Sequence, residues 1–256
     1  MVDRTIVEDL RLLAEAGLSR GMDVVDFGCG TGFFTRQVAR AVGPAGRVVG
    51  LSASAFNVAR ARELAAQEGL ENLTFSVLDE KATGLAADFA DVALTRYFLG
   101  QVPAPAGVVK EMVRVTRPGG LVAAFEDDEG LVVYEPEPPA VTELRALLSR
   151  NRVTAGGNWM MGRSLYRLLR EAGLERIRVS ASTSNSTDLE LASGPERLTH
   201  TADLARAVDT LLEKGEIDRE DAARYQRALE EVSRDPLAFV FVCRFFAVGR
   251  KPLRCA

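Results

Sequence analysis

Three glycines within five residues, Gly28, Gly30 and Gly32, follow the acid Asp26 in the stretch "VVDFGCGTGFFT", Val24 to Thr35. A turn so free of side chains lets the backbone approach a ligand closely. A nucleoside triphosphate loop needs Lys-Ser or Lys-Thr after its glycines. Phe33-Phe34 follow Gly32 here, which excludes that loop. The dinucleotide fingerprint spaces its glycines G-x-G-x-x-G and feeds a pyrophosphate onto a helix N-terminus. In this chain the third glycine comes one residue early, and Asp26 stands just before the turn. A carboxylate repels a pyrophosphate and attracts a cation, so the expected ligand is cationic. Cys29 inside the turn reads as a small packing residue, against the alternative of a reactive thiol.

Other residues with chemistry to offer lie further along. His200 is the only histidine, and either a general base or a packing residue fits a lone imidazole. Asp127, Asp128 and Glu129 follow an apolar run; they could hold a cation, act as a base or bind a metal, or simply form a solvated acidic loop. In "NWMMGRSLYRLL", Trp159, Met160 and Met161 could line an apolar pocket with Arg163 fixing an anionic group, or dock the helix that follows. Tyr134 precedes the proline-rich "EPEPP", read as a stiff loop on the substrate side.

Alternating strands and helices must position these groups. Residues 5–16 have helical spacing, stopped by Gly17, and "DVVDF" reads as a buried strand. Phe33–Val42 is a helix, "GRVVGLS" a strand, Ser54–Gly69 a helix, "LTFSVLD" a strand, and "DFADVALTRYF" contains the fourth. Val108–Thr116 is a helix ending at "RPGG", and "LVAAFEDD" is the fifth strand. This alternation predicts a doubly wound, mainly parallel sheet. Beyond it, "RSLYRLLREAGL" is amphipathic, "RIRVSAST" is strand-like, residues 195–234 form two helices broken at Lys214-Gly215, and "LAFVFVCRFFAVGRK" is a long strand. The 195–234 segment reads as a helical insertion before the last strand of a single domain spanning residues 1–256, either a cap or a solvated excursion.

At 256 residues, 47% hydrophobic and 27% charged, the chain has the composition of a globular protein. A net charge of −4 offers no basic footprint for nucleic acid or anionic membrane. Three scattered cysteines make neither a disulfide framework nor a zinc site, and no metal is expected. No apolar run reaches membrane-spanning length, and the first residues lack a signal peptide's pattern, so the cytoplasm is the expected compartment.

"VVDFGCGTGFFTRQVA" resembles the first motif of the class I S-adenosylmethionine-dependent methyltransferases, and "EMVRVTRPGGLVAAFED" the approach to their fifth strand. The resemblance runs from about residue 5 to 180 and resumes at "FFAVGRKP". It implies a Rossmann-like sheet of seven strands with the last antiparallel, S-adenosyl-L-methionine as cofactor, and methyl transfer to a small molecule. It further implies that Gly28, Gly30 and Gly32, with Cys29 among them, meet the cofactor and that Asp26 favours its positive charge. Asp79 would bond the adenine amino group, and Thr95, Arg96 and Tyr97 would lie near the sulfonium and substrate. Gln101 stands where relatives often carry a histidine. The catalytic candidates are His200, Tyr97 and Asp127, and those for binding substrate are Arg96, Gln101, Tyr134, Trp159, Met160 and Arg163.

Two departures matter. The family usually ends its second strand with an acid that accepts both ribose hydroxyls, whereas Ser52 stands here. A neutral hydroxyl in that place costs about 1–3 kcal/mol of binding. The short N-terminal stretch leaves little chain for a lid, a role that residues 150–162 and 195–234 could take instead. An Asn- or Asp-Pro-Pro-aromatic motif of nucleic-acid amine methylation is missing from "LTRYFLG", in keeping with a small-molecule acceptor. Methyl transfer at O, N or C leads, and a non-methylating enzyme of the cyclase type, or a binding protein that keeps the adenosyl ligand, stands as the alternative.

Overall fold

The computed structural model describes residues 4–78, 83–186 and 199–253. The chain divides into two compact units: residues 1–126, 161–180 and 245–256 form the first, and residues 127–160 and 181–244 the second.

The first unit contains α1 (Arg4–Ala16), β1 (Val24–Phe27), α2 (Phe33–Val42), β2 (Val48–Ser52), α3 (Ala55–Gln67), β3 (Leu73–Val77), β4 (Ala90–Arg96) and α4 (Pro105–Val115). It continues with most of β5 (Thr116–Asp127), α6 (Leu165–Glu171), the start of β7 (Glu175–Asn185) and the end of β8 (Phe239–Arg250). The strands run in the order β3-β2-β1-β4-β5-β8, and β7 pairs with β8. The β1–β2, β1–β4, β2–β3 and β4–β5 pairs are parallel. Near the end of β8, Lys251 N donates to Gly120 O and Gly119 N to Lys251 O, joining the end of one strand to the start of the other, which makes the pair antiparallel.

Alternation along each strand builds a core on both faces. Val24, Val92, Leu94, Ala123 and Phe125 pack with Ile6 and Leu13 of α1, Val38 of α2 and Val58 of α3. Val25, Ala93, Val122 and Ala124 pack with Val109 and Met112 of α4 and with Leu165 and Leu169 of α6. Two apolar faces are what a sheet covered on both sides requires. "RPGG" forms a bulge inside β5 rather than a turn before it: the register jumps from Ala90↔Thr116 to Val92↔Leu121.

The second unit packs α5 (Pro139–Thr154), α7 (Thr199–Glu213) and α8 (Arg219–Arg234) with the short β6 (Val133–Glu135). Val141, Leu144, Leu204, Val208, Tyr225 and Leu229 lie in its core. Gly215, with φ +70, ends α7, and the Asp218 side chain caps α8 by accepting from Asp221 N at 2.8 Å. The break expected at Lys214-Gly215 is where the two helices part.

Among the described residues the sheet has eight strands, where seven are expected. The extra one is β6, whose three residues pair antiparallel with Phe239–Phe241 of β8. Tyr134 therefore lies in a strand, and Pro139 opens α5 in its first turn, where the N–H groups have no intrahelical partner.

Candidate cofactor cradle and a titratable cluster

In the first unit the glycine turn is fastened to the neighbouring strand. Gly28 N and Cys29 N both donate to Leu51 O, at 2.8 and 2.9 Å. Gly28, Gly30 and Gly32 all have left-handed φ, +79, +54 and +73°, and a β-carbon at each meets a different fate. At Gly28 it would lie 2.2 Å from Phe98 Cγ, and at Gly32 2.5 Å from Phe75 Cζ. At Gly30 it would meet no atom within 4 Å. Two glycines thus keep the turn closed against its own core, and the third borders open space.

Asp26 is buried behind this turn, and Thr35 Oγ1 of α2 donates to its Oδ2 at 2.7 Å. Burial holds its carboxyl up at about 6, against the opposing pull of the Thr35 hydrogen bond and the Arg96 charge. Burial also pushes the Cys29 thiol up, and the Asp26 charge adds to that. Ser52 closes β2, buried, and its Oγ accepts from Ser54 N at 3.4 Å. Thr95 closes the pairing of β4 with β1, and its hydroxyl is buried without a hydrogen-bond partner. Asp26, the three glycines, Cys29, Ser52, Thr95 and Arg96 thus gather at the carboxyl ends of adjacent parallel strands, the usual crevice of such sheets. Asp79 lies outside the described residues.

Arg96 is committed within the protein. Its Nε donates to Asp9 Oδ2 of α1 at 2.8 Å, and its guanidinium lies 4.4 Å from the Tyr97 ring centre and 5.3 Å from that of Phe34. Helix α1 therefore reaches the end of β4. Tyr97 itself has a φ of +56°, its N–H donates to Phe125 O, and its carbonyl accepts from the exposed Gln101 amide. Glu126, buried, accepts from Leu99 N at 2.6 Å and fixes the turn that carries Phe98. Arg163 is exposed beside α6, and Met161 is buried in the first unit's core.

In the second unit, Tyr134 of β6 meets His200 of α7. The Tyr134 hydroxyl is 2.6 Å from His200 Nδ1, and His200 Nε2 is 2.7 Å from Glu129 Oε1. Arg145 of α5 donates to Glu129 O at 2.8 Å and stands 3.8 Å from Glu129 Oε2. Burial pushes the Tyr134 hydroxyl up to about 12. Asp127, by contrast, is half-buried at the end of β5. Trp159 packs partly against the second unit's core, while Met160 is exposed.

Sequence reasoning missed Asp9, Glu126 and Arg145. Asp9 did leave a signal: it falls three residues after Ile6 and four before Leu13, an acid on the buried stripe of an amphipathic helix. Among the described residues no group of three or more His, Cys, Asp or Glu side chains could hold a metal ion, and no helix is long and apolar enough to cross a membrane.

Comparison with known proteins agrees with this layout. A demethylmenaquinone methyltransferase from Lactococcus lactis is 33% identical over 106 residues, 41% of this chain and 42% of the relative, so the match spans less than half of that protein. Among solved structures, Haemonchus contortus phosphoethanolamine N-methyltransferase 2 in complex with S-adenosyl-L-methionine superposes with a TM-score of 0.60 at 17% identity, over 96% of this chain and 52% of that one. The [4+2]-cyclase SpnF does so with a TM-score of 0.58 at 22% identity, over 95% and 80%. Both likenesses concern the fold. The model of the methyltransferase domain family matches residues 18–173, more than half of the sequence and all of the glycine turn, and the chain belongs to that family.

Proposed function

We propose that the protein transfers a methyl group from S-adenosyl-L-methionine to a small-molecule acceptor. The observation that carries this reading is the open space at Gly30 beside a buried carboxylate, in a chain of the methyltransferase domain family. The residues present fit the cofactor: Gly30 leaves a cradle that a side chain would fill, and the Thr95 hydroxyl is a buried polar group in want of a partner. Bound there, the cofactor supplies an electrophilic methyl group on a sulfonium. Asp26 favours that positive charge, Gly28 and Gly32 hold the turn rigid against Phe98 and Phe75, and Ser52 offers a single neutral bond toward the ribose. The demethylmenaquinone methyltransferase likeness supports an acceptor of metabolite size.

One observation favours a second reading. The end of β2 carries Ser52, whose Oγ accepts from Ser54 N, in place of a charged acceptor, and the second reading is an enzyme of the cyclase type that keeps the adenosyl ligand without spending its methyl group. Titration calorimetry with S-adenosylmethionine and S-adenosylhomocysteine tests the cofactor. Release of S-adenosylhomocysteine with a panel of phenolic, enolic and amine acceptors tests the transfer. Binding without release for any acceptor would favour the second reading, and absence of binding would refute both.

A further inference from the structure

Away from the glycine turn, the first unit has a cavity of about 490 Å³ between the end of α1, β5, β7 and β8. Its floor is apolar, with Ala16, Leu121 and Val248 all buried. Its rim is charged, with Arg176, Arg178, Arg250 and Glu15 all exposed. Leu121 is level with Val92 and Val24, on the amino-terminal side of strands whose carboxyl ends form the cradle, so the two sites are distinct. Glu15 is already paired with Arg11. Arg250 Nη1 donates to Gly119 O at 3.0 Å, and a β-carbon on Gly17 would stand 3.5 Å from both Arg250 Nη2 and Leu121 Cδ1, which places that guanidinium near the floor. Arg176 and Arg178 make no hydrogen bond or ion pair among the described residues. A regular strand turns alternate residues to opposite faces. Arg176, Ile177 and Arg178 nevertheless all line the cavity, and the φ of Arg176, +49°, breaks the alternation. That left-handed backbone suits glycine and strains an arginine, and such strain gathers where ligands are held.

We propose that this cavity binds a small amphipathic anion, its apolar ring or chain against Ala16, Leu121 and Val248 and its phosphate or carboxylate among Arg176, Arg178 and Arg250. The proposal is independent of the cofactor reading. Three guanidinium groups around one cavity repel one another in a chain whose net charge is −4, and an anion among them relieves that repulsion. The planar fork of arginine matches the oxygens of phosphate and carboxylate. A cationic sulfonium meets the opposite conditions here. The carbonyls that end α1 disfavour an anion, but Leu13 O and Ala14 O already accept from Gly17 N and Leu18 N. The volume falls within the range of about 300–1,000 Å³ usual for small-molecule sites, and a concave apolar floor suits a discrete ligand better than an extended polyanion.

Calorimetric titration of the full chain with 1-naphthyl phosphate, 1-naphthoate, 1-naphthol and inorganic phosphate tests this. At least one of the two aromatic anions is expected to bind at a single site, more tightly than naphthol or inorganic phosphate and more weakly as salt is raised. The tighter of the two identifies the head group. Arg178→Gln should weaken that binding about fivefold, and Arg176→Gly should do the same while relieving the backbone, so that it unfolds at an equal or higher urea concentration than wild type. Saturating S-adenosylhomocysteine should leave the naphthyl anion's affinity unchanged. Failure of both aromatic anions to bind, affinity unaltered in both arginine variants, or displacement by S-adenosylhomocysteine would overturn the proposal. So would binding of phosphatidylserine vesicles, lost in the same variants, without binding of either naphthyl anion, since the arginines would then face a membrane surface.

Discussion

Replacing Asp26 with asparagine should make the ligand-free protein more stable, and more so as pH rises. Asp26 is 2% exposed, and its carboxyl sits at about 6 in the fold against 3.8 for an ordinary aspartate. The folded state thus binds a proton more tightly than the unfolded chain, so stability falls as pH climbs from the lower value to the higher. At about 1.4 kcal/mol per pKa unit, the difference of about two units costs about 3 kcal/mol once the group is ionised. Asparagine keeps an oxygen for the Thr35 hydroxyl and never carries the charge. Urea unfolding of both proteins at a series of pH values measures the difference directly, provided the m-values agree. The advantage of Asp26→Asn should be small near pH 4 and grow by about 3 kcal/mol by pH 7. A constant difference would refute the reasoning, and one that shrinks with rising pH would mean that Arg96 outweighs burial. The same variant should bind S-adenosylmethionine more weakly, so stability gained is affinity lost.

Other expectations follow from single contacts. Gly28→Ala should destabilise by about 2–5 kcal/mol, because its β-carbon collides with Phe98 and its φ is left-handed, whereas Gly30→Ala should cost only the backbone strain of about 1–2 kcal/mol; equal losses in urea titrations would contradict the open cradle. Gly30→Val should abolish S-adenosylhomocysteine binding in a folded protein, as read by calorimetry. Ser52→Asp should tighten both adenosyl ligands, since the added charge meets the ribose and not the methyl; weaker binding of both in a well-folded variant would place the ribose elsewhere. His200→Ala should cost about 1–3 kcal/mol by leaving the buried Tyr134 hydroxyl short of a partner, and Tyr134→Phe should cost much less in that background than in wild type.

The first half of the chain was legible because local and global signals agree there. β1, α2 and β2 fall where the apolar runs and glycine stops put them, and Phe33–Val42 matches the expected helix residue for residue. β6 and α5 were not legible: three residues carry too little alternation to mark a strand, and "EPEPP" masks the spacing of Val141 and Leu144 that follows. At the cradle, glycine spacing revealed the turn but not which glycine borders open space, because that depends on Phe98 and Phe75 from distant parts of the sequence. The Arg96 pairing with Asp9 crosses 87 positions, and no local pattern encodes a partner so remote.

A strand made late in the chain sits one place in from an edge of the sheet. β8 lies between β5 and β7, and behind it Lys251 Nζ donates to Asp88 Oδ1 and to Thr116 O, each at 2.7 Å. During vectorial synthesis β5 and β7 must wait for it, each presenting an unpaired backbone edge next to apolar residues such as Phe125. Closure of so distant a pairing is slow, and a nascent chain halted before Phe239 exposes a template for aggregation. The C-terminal residues thus act as the bolt of the sheet, and a chaperone that shields the β5 edge until they emerge would raise the yield of native protein.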